Sequence, residues 1–330
     1  MTRIAVVGAG RMAHVRANAL LATGRVEVCA VATRHLASAG RFAEEIGCPN
    51  AYDEFRRIAE QQPDAVLVEV PHEAQDRIVV WALEQGLHVL VGGSLAGTTE
   101  IAERICELAA RGNLVVEAGY EARYSAAWEK VRSLLAEGAI GRLTTVRSLA
   151  LWPAGPQSWY YSQQASGGMP VTHMTYCFLN PVRWLAGRPL AVSAFANRMK
   201  HTAPEHVREE TCVANVLFEG DVLYSLTAGY VAPPTMPAWS VTLVGTDGAI
   251  ELVPPEETSG HLRLYGESTV EDTGFSDAPD PFRLQAEAFL ADLAGGSERR
   301  NPPDDCLWDV RLADAIVESA RSRRTITLGT

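Results

Sequence analysis

The sequence predicts an α/β half followed by an α+β half, and three observations carry that reading. Over the first 120 or so residues, short continuous apolar runs alternate with helical patterns of crossover length. That alternation marks a parallel sheet covered on both faces. From about Leu190 to Val253 short apolar strands dominate instead, which predicts an antiparallel or mixed sheet. A chain of 330 residues also suits two hydrophobic cores better than one. The predicted domains are therefore 1–120 and 121–330, with the last helices near the junction.

In the first half the apolar runs 3–7, 26–32, 65–70, 88–91 and 114–118 read as strands. Helical patterns lie at 12–23, 35–46, 73–86 and 98–111. Right-handed crossovers would bring the strand carboxyl ends to one ligand edge. In the second half, 123–137 reads as a helix stopped by Gly138 and followed by a strand from Arg142. A helix is predicted within 171–186, and strands at 190–196, 211–218, 222–230 and 239–244. Helices return at 281–294 and 306–320, after an acidic, proline-rich interval read only as containing loops.

The segment Gly8-Ala9-Gly10-Arg11-Met12-Ala13 follows a strand and opens a helix, the context of a Rossmann phosphate loop. Gly8 permits the tight turn, Gly10 allows close approach of a pyrophosphate, and small Ala13 lets helix and strand pack. Arg11 and Met12 belong to the same loop, whose helix-start amides offset phosphate charge. The second strand ends without a carboxylate, and Thr33-Arg34 follows. Thr33 can donate a hydrogen bond to ribose. Arg34 either pairs with a ribose phosphate, favouring NADP while leaving NAD open, or faces solvent at a helix entrance. Pro71 and His72 follow the third long strand and either shape the nicotinamide pocket or pack an ordinary loop.

Taken in order, several segments resemble the Gfo/Idh/MocA oxidoreductase family. They are GAGRMA at 8–13, PDAVLVEVP at 63–71, ALEQGLHVL at 82–90, VRSLLAEGAIGRL at 131–143, SGG at 166–168 and VRWLAG at 182–187. The resemblance spans nearly the whole chain. It implies a Rossmann domain followed by a predominantly antiparallel, open-faced sheet domain, and an NAD(P)-dependent oxidoreductase. The implied substrate is a small polar metabolite such as a sugar derivative or an imine. A homo-oligomer, dimer or tetramer, built through the second sheet is implied as well.

The same comparison exposes departures. Family members follow the HVL strand with Glu-Lys-Pro, where this chain has Gly92-Gly93-Ser94. The catalytic lysine would fall at Gly93, which can neither polarise a carbonyl nor move a proton. Gly92 and Gly93 are expected to turn the chain beside the cofactor. In the second domain His173 takes the place of the family's aspartate and Cys177 that of its histidine, and the i,i+4 spacing keeps both on one helix face. His173 is the leading acid/base candidate, and Tyr176 a weaker one. Cys177 reads as a substrate contact or a small packing residue. Trp159 and Tyr161 are candidate substrate contacts or packing residues. Arg123, in a segment that is polar in the family near the domain cleft, either orients substrate or makes a helix-start ion pair. No third and fourth ligands accompany His173 and Cys177, so no metal site is expected.

The charge balance bears on partners. A net charge of −11 argues against a broad nucleic-acid surface, and no apolar run reaches membrane-spanning length. The first strand begins at once, without a secretory signal, and six scattered cysteines form no CxxC pair. A cytoplasmic enzyme without nucleic-acid or membrane partners is the expectation.

Overall fold

The computed structural model describes residues 1–166, 170–233, 235–236, 239–253 and 260–329, and the side chains of 170–176 lie outside that description. The chain begins β1 (Thr2–Val7), α1 (Arg11–Ala22), β2 (Val26–Ala32), α2 (Leu36–Glu45), β3 (Ala51–Tyr52), β4 (Ala65–Val68), α3 (His72–Glu84), β5 (His88–Val91), α4 (Thr99–Gly112) and β6 (Val116–Glu117). These strands pair in parallel in the order β3-β2-β1-β4-β5-β6. The order reverses between β1 and β4, so the crevice at their carboxyl ends is the topological switch point where such sheets take a ligand.

The apolar runs of β1 and β4 are continuous because both faces of the sheet are covered: Ile4 to Val7 and Ala65 to Val68 are all buried. Helix ends follow local chemistry. The Thr98 side chain accepts from the Ile101 amide to start α4, and Asn113, at φ 50°, ends it in the left-handed conformation. β4 stops two residues short of the expected strand. Its register with β1 ends at Val7↔Val68, and Glu69 then donates its amide to the Val7 carbonyl. The two-residue β3 and the 3₁₀ turn Phe55–Gln61 are absent from the sequence reading, because the first is too short and the second too polar to show a period.

The remaining elements are α5 (Ala126–Ala136), β7 (Leu143–Leu151), α6 (Gln163–Ser166), α7 (Pro170–Ala186), β8 (Pro189–Asn197), β9 (Thr211–Phe218), β10 (Leu223–Gly229), β11 (Trp239–Gly245), β12 (Ala249–Val253), β13 (His261–Tyr265), β14 (Val270–Gly274), α8 (Pro281–Leu293), α9 (Pro303–Ser322) and β15 (Ile326–Thr327). The second sheet runs β14-β13-β12-β11-β7-β10-β9-β8-β15. Its pairings are antiparallel except for the central parallel pair β7–β10. Alternation sets the faces: β9 buries Cys212, Ala214, Val216 and Phe218 while exposing Val213 and Asn215. α7 packs on β7 and β10. The opposite face keeps Phe195 and Val213, a cross-strand pair, exposed. The α/β plus open-faced α+β fold class is thus the one observed.

By its contacts the chain divides into two units. The first joins Met1–Tyr124 to Asp280–Val310, and the second joins Ser125–Pro279 to Arg311–Thr330. The sequence reading placed the boundary after residue 120 and left the last helices at the junction. In the first unit α8 packs on α1, and Phe289 and Leu290 enter the same core as Ile4, Leu20 and Phe42.

Candidate active site

Gly8 ends β1 at φ +119°, and a Cβ there would fall 2.0 Å from the Glu69 carbonyl oxygen. Only glycine fits this turn. Gly10 is the N-cap of α1 without a side-chain cap, and a Cβ on it would meet nothing within 4 Å. The space beside Gly10 at the start of α1 is therefore open, and a helix start offers first-turn amides to a phosphate. Ala13 is fully buried, while Arg11 is exposed and Met12 half-buried. These residues fit the pyrophosphate of a dinucleotide. His14 hydrogen-bonds the Gly10 carbonyl and Glu45, and its ring packs on Phe42, so it ties α1 to α2.

At the end of β2, the Thr33 hydroxyl donates to the His35 carbonyl at 2.8 Å and accepts from the His35 amide at 3.2 Å. That turn presents Arg34 to solvent, and the guanidinium makes no hydrogen bond or ion pair with the described residues. At the end of β4, Pro71 precedes α3 as its N-cap. His72 is 4% exposed, and burial pushes its pKa down to about 4. It is therefore neutral at pH 7.

The turn after β5 is tightly held. Gln75 Nε2 donates to the Ser94 carbonyl at 2.8 Å, and the Ser94 hydroxyl donates to the Ala96 carbonyl while accepting from the Tyr120 hydroxyl. The Gly97 amide donates to Asp76. Gly93 sits at φ +76°, a conformation that side-chain-bearing residues rarely adopt.

Sequence reasoning missed the charged groups beside this turn. Arg16, only 4% exposed, places Nε 2.6 Å from Glu69 Oε1. Its Nη2 donates to the Gly119 carbonyl and to Glu121, and its Nη1 donates to Gln285 at 2.6 Å. Phe282 packs on the guanidinium. Burial raises the Glu69 pKa against the opposing charge of Arg16, and the charge of Glu121 raises it further. Beneath the pair lies fully buried Glu117, which accepts from the Tyr124 hydroxyl at 2.8 Å, Gln285 Nε2 at 3.1 Å and Asn301 Nδ2 at 3.2 Å. The available signal was a lone arginine among the apolar positions of α1 and a glutamate ending an apolar strand.

Arg123 makes the ion pair that was one of its two readings. It is 1% exposed, 2.6 Å from Asp305, and donates to the Arg300 carbonyl. In the second unit the aromatic cluster divides. Tyr161 is fully buried and donates its hydroxyl to Glu210 at 3.1 Å, so it belongs to the core. Trp159 and Tyr160 stay half-buried, and Tyr160 stacks on Tyr230. Cys177 is partly exposed on α7. Positions 173 and 177 fall on that one continuous helix, but the side chains of His173 and Tyr176 lie outside the described residues. Among the described residues no three His, Cys, Asp or Glu side chains form a set able to hold a metal ion. No described helix is long and apolar enough to cross a membrane.

Residues 2–120 match the oxidoreductase family with an NAD-binding Rossmann fold, and residues 128–251 match the GFO/IDH/MocA C-terminal domain. The chain belongs to the Gfo/Idh/MocA oxidoreductase family. Like its family, it is an NAD(P)-dependent oxidoreductase, and the cradle at Gly8 and Gly10 fits the nicotinamide dinucleotide. A Gfo/Idh/MocA relative from Streptomyces antibioticus, dTDP-3,4-didehydro-2,6-dideoxy-alpha-D-glucose 3-reductase, is 27% identical over 97% of this chain and 98% of its own. D-xylose 1-dehydrogenase (NADP(+)) 2 of Haloferax volcanii is 24% identical over 92% of each chain. Among solved structures, levoglucosan dehydrogenase in complex with NADH and levoglucosan superposes with a TM-score of 0.87 at 20% identity, over 100% of both chains.

Proposed function

We propose that this Gfo/Idh/MocA chain is an NADP-dependent oxidoreductase acting on a sugar derivative. The observation that carries the cofactor choice is Arg34. It is exposed and uncommitted at the tip of β2, where a carboxylate would otherwise receive the ribose hydroxyls. A planar guanidinium suits a 2′-phosphate. The sugar class is supported by the relatives, whose names are those of sugar and nucleotide-sugar enzymes. An imine is the alternative small polar substrate.

The bound nicotinamide supplies or accepts hydride. Gly8, Gly10 and the first amides of α1 hold the pyrophosphate, and Arg34 receives the adenosine ribose. The Thr33 hydroxyl, expected to donate to that ribose, gives its one proton to the His35 carbonyl and instead fixes the turn that carries Arg34. Pro71, neutral His72 and the turn at Gly92 and Gly93 border the nicotinamide half. His173 is the proposed proton-transfer group and Tyr176 the weaker substitute, on the support of their sequence position in α7. Trp159 and Cys177 are the proposed substrate contacts. The open face of the second sheet, with Phe195 and Val213 exposed, supports assembly of the chain as a homo-oligomer, dimer or tetramer.

The test is a titration with NADPH and NADH, followed by a sugar and keto-sugar screen that reads both NADPH absorbance and product mass. Binding of NADPH in preference to NADH, with stoichiometric NADPH consumption, is expected. Absence of NADPH binding at neutral pH would sink the reading. Product formation with NADPH unchanged would instead indicate a redox-neutral lyase or isomerase that retains its nicotinamide, an alternative favoured by the missing lysine at Gly93. In an active assay, His173→Ala should lower turnover far more than it lowers cofactor affinity.

A further inference from the structure

We propose that Glu69, held by Arg16, is a cofactor-positioning carboxylate for the nicotinamide half, contributed by the end of β4 in place of a side chain at residue 92. The proposal rests on the nicotinamide reading above. Glu69 follows β4 at the switch point between β1 and β4, and its carbonyl packs directly over Gly8 of the phosphate loop. Its carboxylate fills the space that a residue at 92 would need. A Cβ on Gly92 would lie 2.1 Å from Glu69 Cδ, and 2.3 and 2.4 Å from its two oxygens. Gly92 is not among the positive-φ glycines, so the carboxylate, rather than the backbone, excludes a side chain there.

The partner passes a second glycine. A Cβ on Gly119 would fall 2.3 Å from the Gly93 amide nitrogen and 2.4 Å from the Val91 carbonyl oxygen, so the backbone keeps that position bare, and Arg16 Nη2 lies 2.9 Å from the same point. The arginine comes from α1, the helix whose first turn forms the phosphate cradle, so the pair links that cradle to the tip of β4. The Glu69 side chain keeps 12% of its surface exposed, against 4% for Arg16. Arg16 Nε approaches one carboxylate oxygen, Oε1, at 2.6 Å. A carboxylate offers about four lone-pair positions, which leaves acceptor capacity for an N–H donor such as the nicotinamide carboxamide. Arg16 offsets the negative charge that would otherwise repel the dinucleotide phosphates.

The test compares ligands that share the adenosine half and differ in the nicotinamide. NADPH and NADH are titrated by fluorescence, and ADP-ribose and its 2′-phosphate by calorimetry, with thermal melting of each variant alongside. Glu69→Gln should weaken the preferred reduced dinucleotide by about tenfold or more, the loss of one hydrogen bond to a charged acceptor. Its affinity for the matching ADP-ribose ligand should stay within about twofold, below ~0.4 kcal/mol. Gly92→Ala should act in the same direction, because its methyl group displaces the carboxylate without altering either charged residue.

The double variant Glu69→Ala/Gly92→Asp returns an acid to that space from β5, its carboxyl carbon about 1.5 Å beyond the new Cβ. It should recover dinucleotide affinity relative to Glu69→Ala alone. Unchanged dinucleotide affinity in Glu69→Gln overturns the proposal. Equal weakening of ADP-ribose and dinucleotide also overturns it, since that pattern marks a general disturbance of the loop. A folded double variant that binds no better than Glu69→Ala counts against relocation of the acid. If the double variant does not fold, Glu69→Gln decides alone. A wild-type protein that binds neither reduced dinucleotide refutes the nicotinamide reading itself, an outcome separate from the others.

Discussion

Restoring a lysine at residue 93 should damage this protein rather than improve it. Gly93 holds φ +76° and its carbonyl receives the Gly119 amide at 2.8 Å, so the left-handed conformation in the turn between β5 and α4 is tied to the chain just after β6. Placing an L side chain in that conformation costs roughly 1–2 kcal/mol. For a unit of about 150 residues, each kcal/mol lowers the midpoint by about 2–4 °C. Gly93→Lys and Gly93→Ala should therefore both lower Tm by about 2–8 °C. Gly93→Asn should lose clearly less, because asparagine tolerates the left-handed region. Differential scanning calorimetry at constant pH, without ligand, reads all three. An unchanged midpoint in the alanine variant, or an asparagine variant as unstable as alanine, would refute the backbone argument. Activity gained by Gly93→Lys without loss of stability would show that the turn adapts to the family's usual residue.

Arg34→Ala should weaken NADPH by about tenfold or more while changing NADH by less than about twofold, as loss of a charge-assisted phosphate contact requires; competition binding distinguishes the two. Arg123→Ala should destabilise the protein by about 1–3 kcal/mol, because it removes a buried guanidinium from its hydrogen bonds to half-exposed Asp305 and the Arg300 carbonyl; its melting curve should shift, whereas a substrate-orienting residue would raise KM at constant Tm. Burial raises the Glu210 pKa, yet the amides of Met199, Lys200 and His201 and the side chains of His201 and Tyr161 outweigh it and hold the carboxyl at about 2, below its ordinary 4.5. Its folded pKa is depressed, so the stabilisation is complete above pH 4.5 and is lost as pH falls from 4.5 towards 2. Glu210→Gln should lower stability at neutral pH and flatten the acid limb in that window, as urea unfolding measured across pH would show.

Much of the first sheet was legible because its strands are buried on both faces. The runs at Val26–Ala32 and His88–Val91 coincide with β2 and β5, since apart from Glu27 in the first and His88 in the second every residue is buried and apolar. Strand ends were less legible. The apolar run through Val70 outlasts β4, because sheet pairing stops where β1 stops. β13 and β14 lie in an interval where charged residues such as Arg263, Glu271 and Asp272 interrupt the alternation and pair across the strands. At the site, glycines announced the phosphate loop because backbone geometry demands them there. Arg16 and Glu69 gave no such sign. Charged side chains usually mark solvent, and their pairing spans 53 positions of sequence, beyond any local period.

The division of the first unit has a consequence for how the protein is made. Arg16 and Glu117 emerge early from the ribosome, yet both bond Gln285, and Glu117 also bonds Asn301. Until the segment Asp280–Val310 is synthesised, the nascent nucleotide-binding half holds a carboxylate and a guanidinium whose burial has no completed set of partners. Such groups favour hydration over burial. This half must therefore wait, open or only loosely collapsed, while the whole intervening sheet domain is translated. A fragment cut after residue 120 would wait indefinitely, and expressing it together with a peptide spanning 280–310 should supply what it lacks.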